Sequence, residues 1–140
     1  LDAIDEKVPI YKIIDPIDKI QAGNDAKAAG NVRSIYDAAL RAYAINNIIP
    51  TSISGAAPSI ISSGELKSAP VPPSGYAAYL YTAGAADVTV CTVVKSKGQR
   101  GKAQIALGLG AMPATATFNI NNSKSCYTAA GACAAATTCP

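Results

Sequence analysis

The 140 residues contain no histidine and no tryptophan, a single methionine and a single phenylalanine. Without histidine the chain lacks the commonest metal ligand and the usual general base at neutral pH. Ser-His-Asp and Cys-His catalysis are therefore excluded. Charge is also scarce, at 15% of residues, and the balance of 12 basic against 9 acidic groups leaves a net charge of only +3. That is too weak a field to name nucleic acid as the partner. No stretch approaches the roughly 18 consecutive apolar residues of a membrane-spanning helix, and no signal peptide pattern is present, so the chain reads as a soluble, mature or trimmed product. Hydrophobic residues make up 49%, which argues against disorder, and the length suits one domain with a real core.

The charge is unevenly spread. Residues 1–70 hold seven basic and eight acidic groups, whereas residues 71–140 hold five basic groups and only Asp87. Four cysteines, Cys91, Cys126, Cys133 and Cys139, give an even count with no CxxC pair and no zinc spacing. The reading that follows is disulfides in an oxidising compartment.

One long helix opens the chain, with Asp15 as N-cap and Pro16 at the first helical position. Ile17, Ile20, Ala28, Val32, Ile35, Ala39 and Ala42 recur at steps near three and four, a single apolar stripe to be buried as a core face. Arg33–Asp37 and Asp37–Arg41 are spaced to pair on the opposite face. Gly23 and Gly30 loosen the first half, and Asn46, Asn47 and Pro50 end it. Residues 50–75 carry Pro50, Pro58, Pro70, Pro72 and Pro73 and read as a loop, with one helical turn from Ser59 to Gly64.

Strands follow. Tyr76–Thr82 alternates, Ala83–Asp87 turns, and Val88–Lys95 puts Val88, Val90 and Val94 on one face and Cys91 on the other. Residues 96–101, SKGQRG, read as a hairpin loop into a third strand through Ala103, Ile105, Leu107 and Leu109. A fourth strand runs Thr115–Ile120. The expected class is α+β: residues 15–46 helix, 50–75 connection, 76–120 a three- to four-stranded antiparallel meander, and 121–140 a cysteine-rich tail. Ile35, Ala39 and Ala42 should meet Val88, Val90 and Val94. Two disulfides among four cysteines allow three connectivities. Strand parity turns Cys91 away from the helix, toward a face that only the tail can cover. Cys91 is thus expected to bridge to a tail cysteine, the other two closing a local loop.

The order of these pieces resembles a family. DPIDKIQAGNDAKAAGNVRSIYDAALRAYAINNIIP, with Asp15-Pro16, Asn24-Asp25-Ala26-Lys27, Tyr43, Asn46 and Pro50, is similar to the exposed half of the first helix of type IV pilins and type II secretion pseudopilins. GELKSAPVPPSG (64–75) looks like that family's connection into the sheet, and YAAYLYTAGAADVTVCTVVKSK like its first hairpin. The family's apolar N-terminal half-helix is missing. Residues 1–12, LDAIDEKVPIYK, are charged and carry Pro9, so residues 1–14 read as an added segment or a replacement of that anchor. The resemblance implies a single pilin-like domain (residues 1–140). Its full-length precursor would be membrane-anchored and its partners other pilin subunits, met through the missing helix. The isolated chain would then be monomeric.

Nothing among the carboxylates suggests an acid–base pair; Asp2, Asp5 and Glu6 read as a solvated cluster. Gly108-Leu109-Gly110 is not a phosphate loop. Calcium would need oxygen ligands converging in the tail, where Asp87 is joined only by amides such as those of Asn119, Asn121 and Asn122. Catalytic, cofactor and metal residues are accordingly expected to be none. Lys95, Lys97, Arg100 and Lys102 put four cations in eight residues. They read either as a solvated hairpin tip or as a contact for DNA or an acidic surface. Tyr76, Tyr79 and Tyr81 read as half-buried packing with hydroxyls at the rim. The function expected is a structural subunit of an extracellular type IV pilus-like filament or a periplasmic secretion pseudopilus. The alternatives are a minor pilin that binds DNA or a surface in cell adhesion, and an unrelated disulfide-stapled secreted domain.

Overall fold

The computed structural model describes residues 16–135 and 137–140; Asp15 and the N-terminal segment before it lie outside the described residues. Helix α1 spans Pro16–Asn46 without interruption through Gly23 and Gly30. It stops where Asn47 takes a left-handed φ of 57° and its N–H closes on the Tyr43 carbonyl at 2.7 Å. Ala28, Val32, Ile35, Ala39 and Ala42 are all buried. The start of the stripe is not: Ile17 and Ile20 are 68% and 63% exposed. The stripe runs past the end of the sheet it packs against, which corrects the expectation of one continuous core face. The helix-surface ion pairs differ too. Arg41 reaches out of the helix to Glu65 at 2.8 Å. Arg33 lies over the Phe118 ring, 5.3 Å from its centroid, a cation–π contact.

The fold is α+β. Strands β1 (Leu80–Ala83), β2 (Val88–Val94), β3 (Ala116–Asn121) and β4 (Lys124–Thr128) form one antiparallel sheet in chain order. Register sets Val90 opposite Ile120, Thr92 opposite Phe118 and Val94 opposite Ala116. The inner face therefore carries Val88, Val90, Val94, Ala116, Phe118 and Ile120, which join Val32, Ile35, Tyr36 and Ala39 of α1 in one core cluster. Each fully buried Val or Ile contributes about 1.5–3 kcal/mol. β4 falls in the segment read as tail. It exists because Asn122 and Ser123 both accept positive φ (52° and 59°), the signature of a two-residue hairpin turn. Asp87 braces that turn: its carboxylate accepts the Asn122 N–H at 2.6 Å and the Tyr36 hydroxyl at 2.9 Å.

The larger correction concerns residues 96–109. They form neither a hairpin tip nor a strand, but helix α2, Lys97–Leu107. Ser96 is its N-cap, accepting the Gln99 N–H on its side chain at 3.2 Å, and Gly108 ends it at φ 66° with Leu109 N–H bonded to the Gln104 carbonyl. The alternation of Ala103, Ile105, Leu107 and Leu109 is not a strand pattern: Ala103 is fully buried while Ile105 is 83% exposed.

Between α1 and β1 the chain has little regular structure, but it is not unpacked. The expected turn at Ser59–Gly64 is present as hydrogen-bonded turn residues, with Ser63 N–H on the Ser59 carbonyl at 3.1 Å. It buries Ile60 in the core. On the outer face of the sheet, Cys91, Asn119 and Cys126 lie side by side across β2, β3 and β4. Cys91 is bonded to Cys133, and Cys126 to Cys139. Asn121 adds to the cover, donating to the Thr137 carbonyl and accepting the Cys139 N–H, both at 2.7 Å.

Candidate functional site

The four cations singled out above sit at the entry to and along α2, and they do not form one patch. Lys95 donates its Nζ to the Gly75 carbonyl at 2.8 Å and stands 4.9 Å over the Tyr76 ring. Arg100 donates to the carbonyls of Lys95 (3.1 Å) and Pro113 (3.4 Å). The Lys97 backbone N–H donates to Asp18 at 2.8 Å. Lys102 is exposed on the helix. Two of the four are thus committed to closing loops onto the body of the protein.

Behind them lies a residue that the charge pattern did not pick out. Asp25, on α1, is 1% exposed. Its carboxylate accepts the backbone N–H of Lys95 (3.0 and 3.1 Å), the N–H of Ser96 (2.7 Å) and the Tyr76 hydroxyl. A carboxylate at the mouth of α2 satisfies amides that precede the helix and faces its positive dipole end. One side chain of α1 thereby fixes the end of β2, the start of α2 and the last loop before β1. The signal was available. Asp25 falls three residues before Ala28 on the inward stripe, where an acid needs partners.

The tyrosines before and on β1 act as struts to α1 and the loop. Tyr79 accepts from Asn31 at 2.7 Å, and Tyr81 donates to the Pro50 carbonyl at 2.7 Å. Burial and the neighbouring Asp25 carboxylate push the Tyr76 phenol well above its ordinary range. Burial pushes Tyr81 up to about 12 and raises Tyr79 and Tyr127 as well. Each hydroxyl is held neutral as a donor or acceptor rather than poised to ionise.

Of the amides weighed as calcium ligands, Asn121 holds the tail and Asn119 donates to the Thr117 hydroxyl at 3.0 Å while its buried Oδ1 has no hydrogen-bond partner, and both Asp87 oxygens already accept hydrogen bonds. Among the described residues no three or more Cys, Asp or Glu groups gather as a metal site. An open cleft of about 1040 Å³ lies between α1, the end of α2 and the β4 edge, with Arg33, Asp37, Leu40, Leu107, Lys124 and Tyr127 among its walls. Its walls mix single charges with apolar and hydroxyl groups. Among the described residues no helix is long and apolar enough to cross a membrane. The two disulfides point to an oxidising environment, extracellular or periplasmic. Comparison with protein-family models, with curated proteins and with solved structures finds no match.

Proposed function

We propose that the chain is the head of a structural subunit in an extracellular type IV pilus-like filament or a periplasmic secretion pseudopilus. The observation that carries this reading is the apolar stripe of α1. It is buried from Ala28 onward against the sheet and then continues, exposed, through Ile20 and Ile17. A helix whose apolar face outruns its own sheet needs a second surface, and in a filament the helices of neighbouring copies supply it. The disulfide-closed outer face and the oxidising compartment support the same reading. Activity here is assembly and display, not turnover, and no catalytic residue or cofactor is assigned.

The test is decoration of surface filaments by antibodies raised against the 140-residue chain, combined with Ile20→Glu in the full-length precursor. Labelling along filament length, lost in Ile20→Glu while the soluble head stays folded, is the expected result. Filaments that incorporate Ile20→Glu normally, or cells whose filaments bind no antibody, refute it.

The second reading is a binding module for DNA or a surface. The exposed Lys102 and Lys124 favour it, whereas the internal bonds of Lys95 and Arg100 weaken it. Its mark is a DNA affinity that falls steeply with salt and falls again in Lys102→Gln.

A further inference from the structure

Residues 105–112, Ile-Ala-Leu-Gly-Leu-Gly-Ala-Met, are eight consecutive exposed residues, and none has a polar or charged side chain. Ile105 is 83% exposed, with Leu107, Leu109 and Met112 each about two-fifths exposed. The ribbon is not loose. Gly108 N–H bonds to the Ile105 carbonyl at 3.2 Å, Leu109 N–H to the Gln104 carbonyl at 3.0 Å, and the Gln104 side-chain amide to the Leu109 carbonyl at 3.4 Å. These backbone groups already have partners, so moving them out of water costs less than for an open loop.

The orientation follows from helix geometry. Ala103 is buried, and Ile105, about 200° further round α2, stands on the opposite, outward face. Lys102, three residues before Ile105, shares that face. Lys124 lies across the cleft that Leu107 lines. No Asp or Glu occurs anywhere in residues 88–140. The carboxylates brought near from α1 are Asp18 and the buried Asp25, against the N–H groups of Lys97 and of Lys95 and Ser96 at the far end of α2, and Asp37, in the cleft wall.

We infer that this ribbon is a docking surface for an anionic lipid bilayer. Ile105, Leu107, Leu109 and Met112 enter the boundary between headgroups and acyl chains, and Lys102 and Lys124 meet the headgroup charge. Charge decides the occupant. A two-fold contact between copies through this ribbon would set Lys102 against Lys102, and residues 16–70, with four acidic and five basic groups, carry no net negative charge to draw a head-to-tail contact. An anionic headgroup layer supplies both the apolar depth and the opposite charge. Four apolar side chains and two lysines make the contact weak and reversible. The inference does not rest on the filament reading, since a head in any oxidising compartment could use the same surface.

The absence of tryptophan gives a clean probe. Leu109→Trp in the oxidised 140-residue chain places the only indole on the ribbon. With phosphatidylglycerol vesicles its emission should shift to the blue and be quenched by brominated acyl chains, and phosphatidylcholine vesicles should do neither. Ile105→Ser in that background should weaken partitioning roughly tenfold or more. Lys102→Gln and Lys124→Gln should each weaken it about fivefold. All three sites are exposed, and unchanged circular dichroism verifies the fold. Emission unaffected by anionic vesicles overturns the inference. So does a blue shift that grows with protein concentration in the absence of lipid, which assigns the ribbon to a second copy instead.

Discussion

Replacing Asp25 tests the architecture at its most connected point. The carboxylate accepts hydrogen bonds from two consecutive backbone amides and one phenol, at a site with 1% exposure. In Asp25→Ala the amides of Lys95 and Ser96 and the Tyr76 hydroxyl lose that acceptor. A buried donor left unpaired costs about 1–3 kcal/mol. Part of the sum is recovered, because Tyr76 also donates to the Gln21 carbonyl at 3.2 Å. The net loss is then about 3–5 kcal/mol, a large share of the roughly 5–15 kcal/mol that holds a domain together. Asp25→Asn keeps the volume but turns an NH₂ toward donors, and should cost about 2 kcal/mol. Tyr76→Phe removes one donor and should cost about 1 kcal/mol, and its double mutant with Asp25→Ala should be less destabilised than the sum. Urea unfolding with the disulfides intact measures these values, and amide exchange places them: protection should fall first at Ser96 and through α2. A loss below 1 kcal/mol in Asp25→Ala with unchanged protection at Ser96 would refute the reasoning.

Non-reducing peptide mapping should recover Cys91 with Cys133 and Cys126 with Cys139, and no free thiol. On a chain-entropy estimate the longer and shorter loops contribute about 4 and 3 kcal/mol, so reduction should loosen the tail first. Ile35→Ala, in the centre of the helix–sheet contact, should cost about 2–5 kcal/mol by the same urea assay, whereas Ile17→Ala should cost almost nothing in the isolated chain. Tyr81 has its phenol pushed up to about 12, above the unfolded value near 10. The stability this reflects is present below pH 10 and is lost as pH rises from 10 toward 12. Absorbance at the phenolate band should show its titration delayed relative to a free tyrosine, and Tyr81→Phe should remove one phenol from a late step that Tyr76 shares.

Much of this was legible in the residues. The helix, its end at Asn46, the antiparallel pairing and the parity of Cys91 all follow from patterns of period 3.6 or 2. The misreadings have definite causes. Gly98 and Gly101 suggested a loop, and the alternation of Ala103, Ile105, Leu107 and Leu109 suggested a strand. What overrode both was capping: Ser96 and Gln99 at one end of α2, Gly108 at the other, and the Asp25 carboxylate supplied from elsewhere in the fold. β4 was missed because Lys124–Thr128 has a short, weakly apolar sequence, and its place depends on the left-handed turn at Asn122-Ser123. The exposure of Ile17 and Ile20 was invisible because periodicity gives the direction of a face and not the length of what covers it.

The two disulfides interleave along the chain, Cys91–Cys133 crossing Cys126–Cys139. Under tension between its ends the covalent path is therefore shorter than the sequence. Force entering at Pro140 passes from Cys139 to Cys126, along the chain to Cys133, and across to Cys91. Residues 92–125, which hold α2, β3 and the β3–β4 turn, stay slack, as do the residues between Cys133 and Cys139. A pull that would peel β4 from the sheet edge in a reduced chain is delivered instead to β2 at the centre of the sheet. Stretching the oxidised protein should release only the chain on the α1 side of Cys91 and the short span from Cys126 to Cys133, and thiol reductant should add the sealed length in discrete steps.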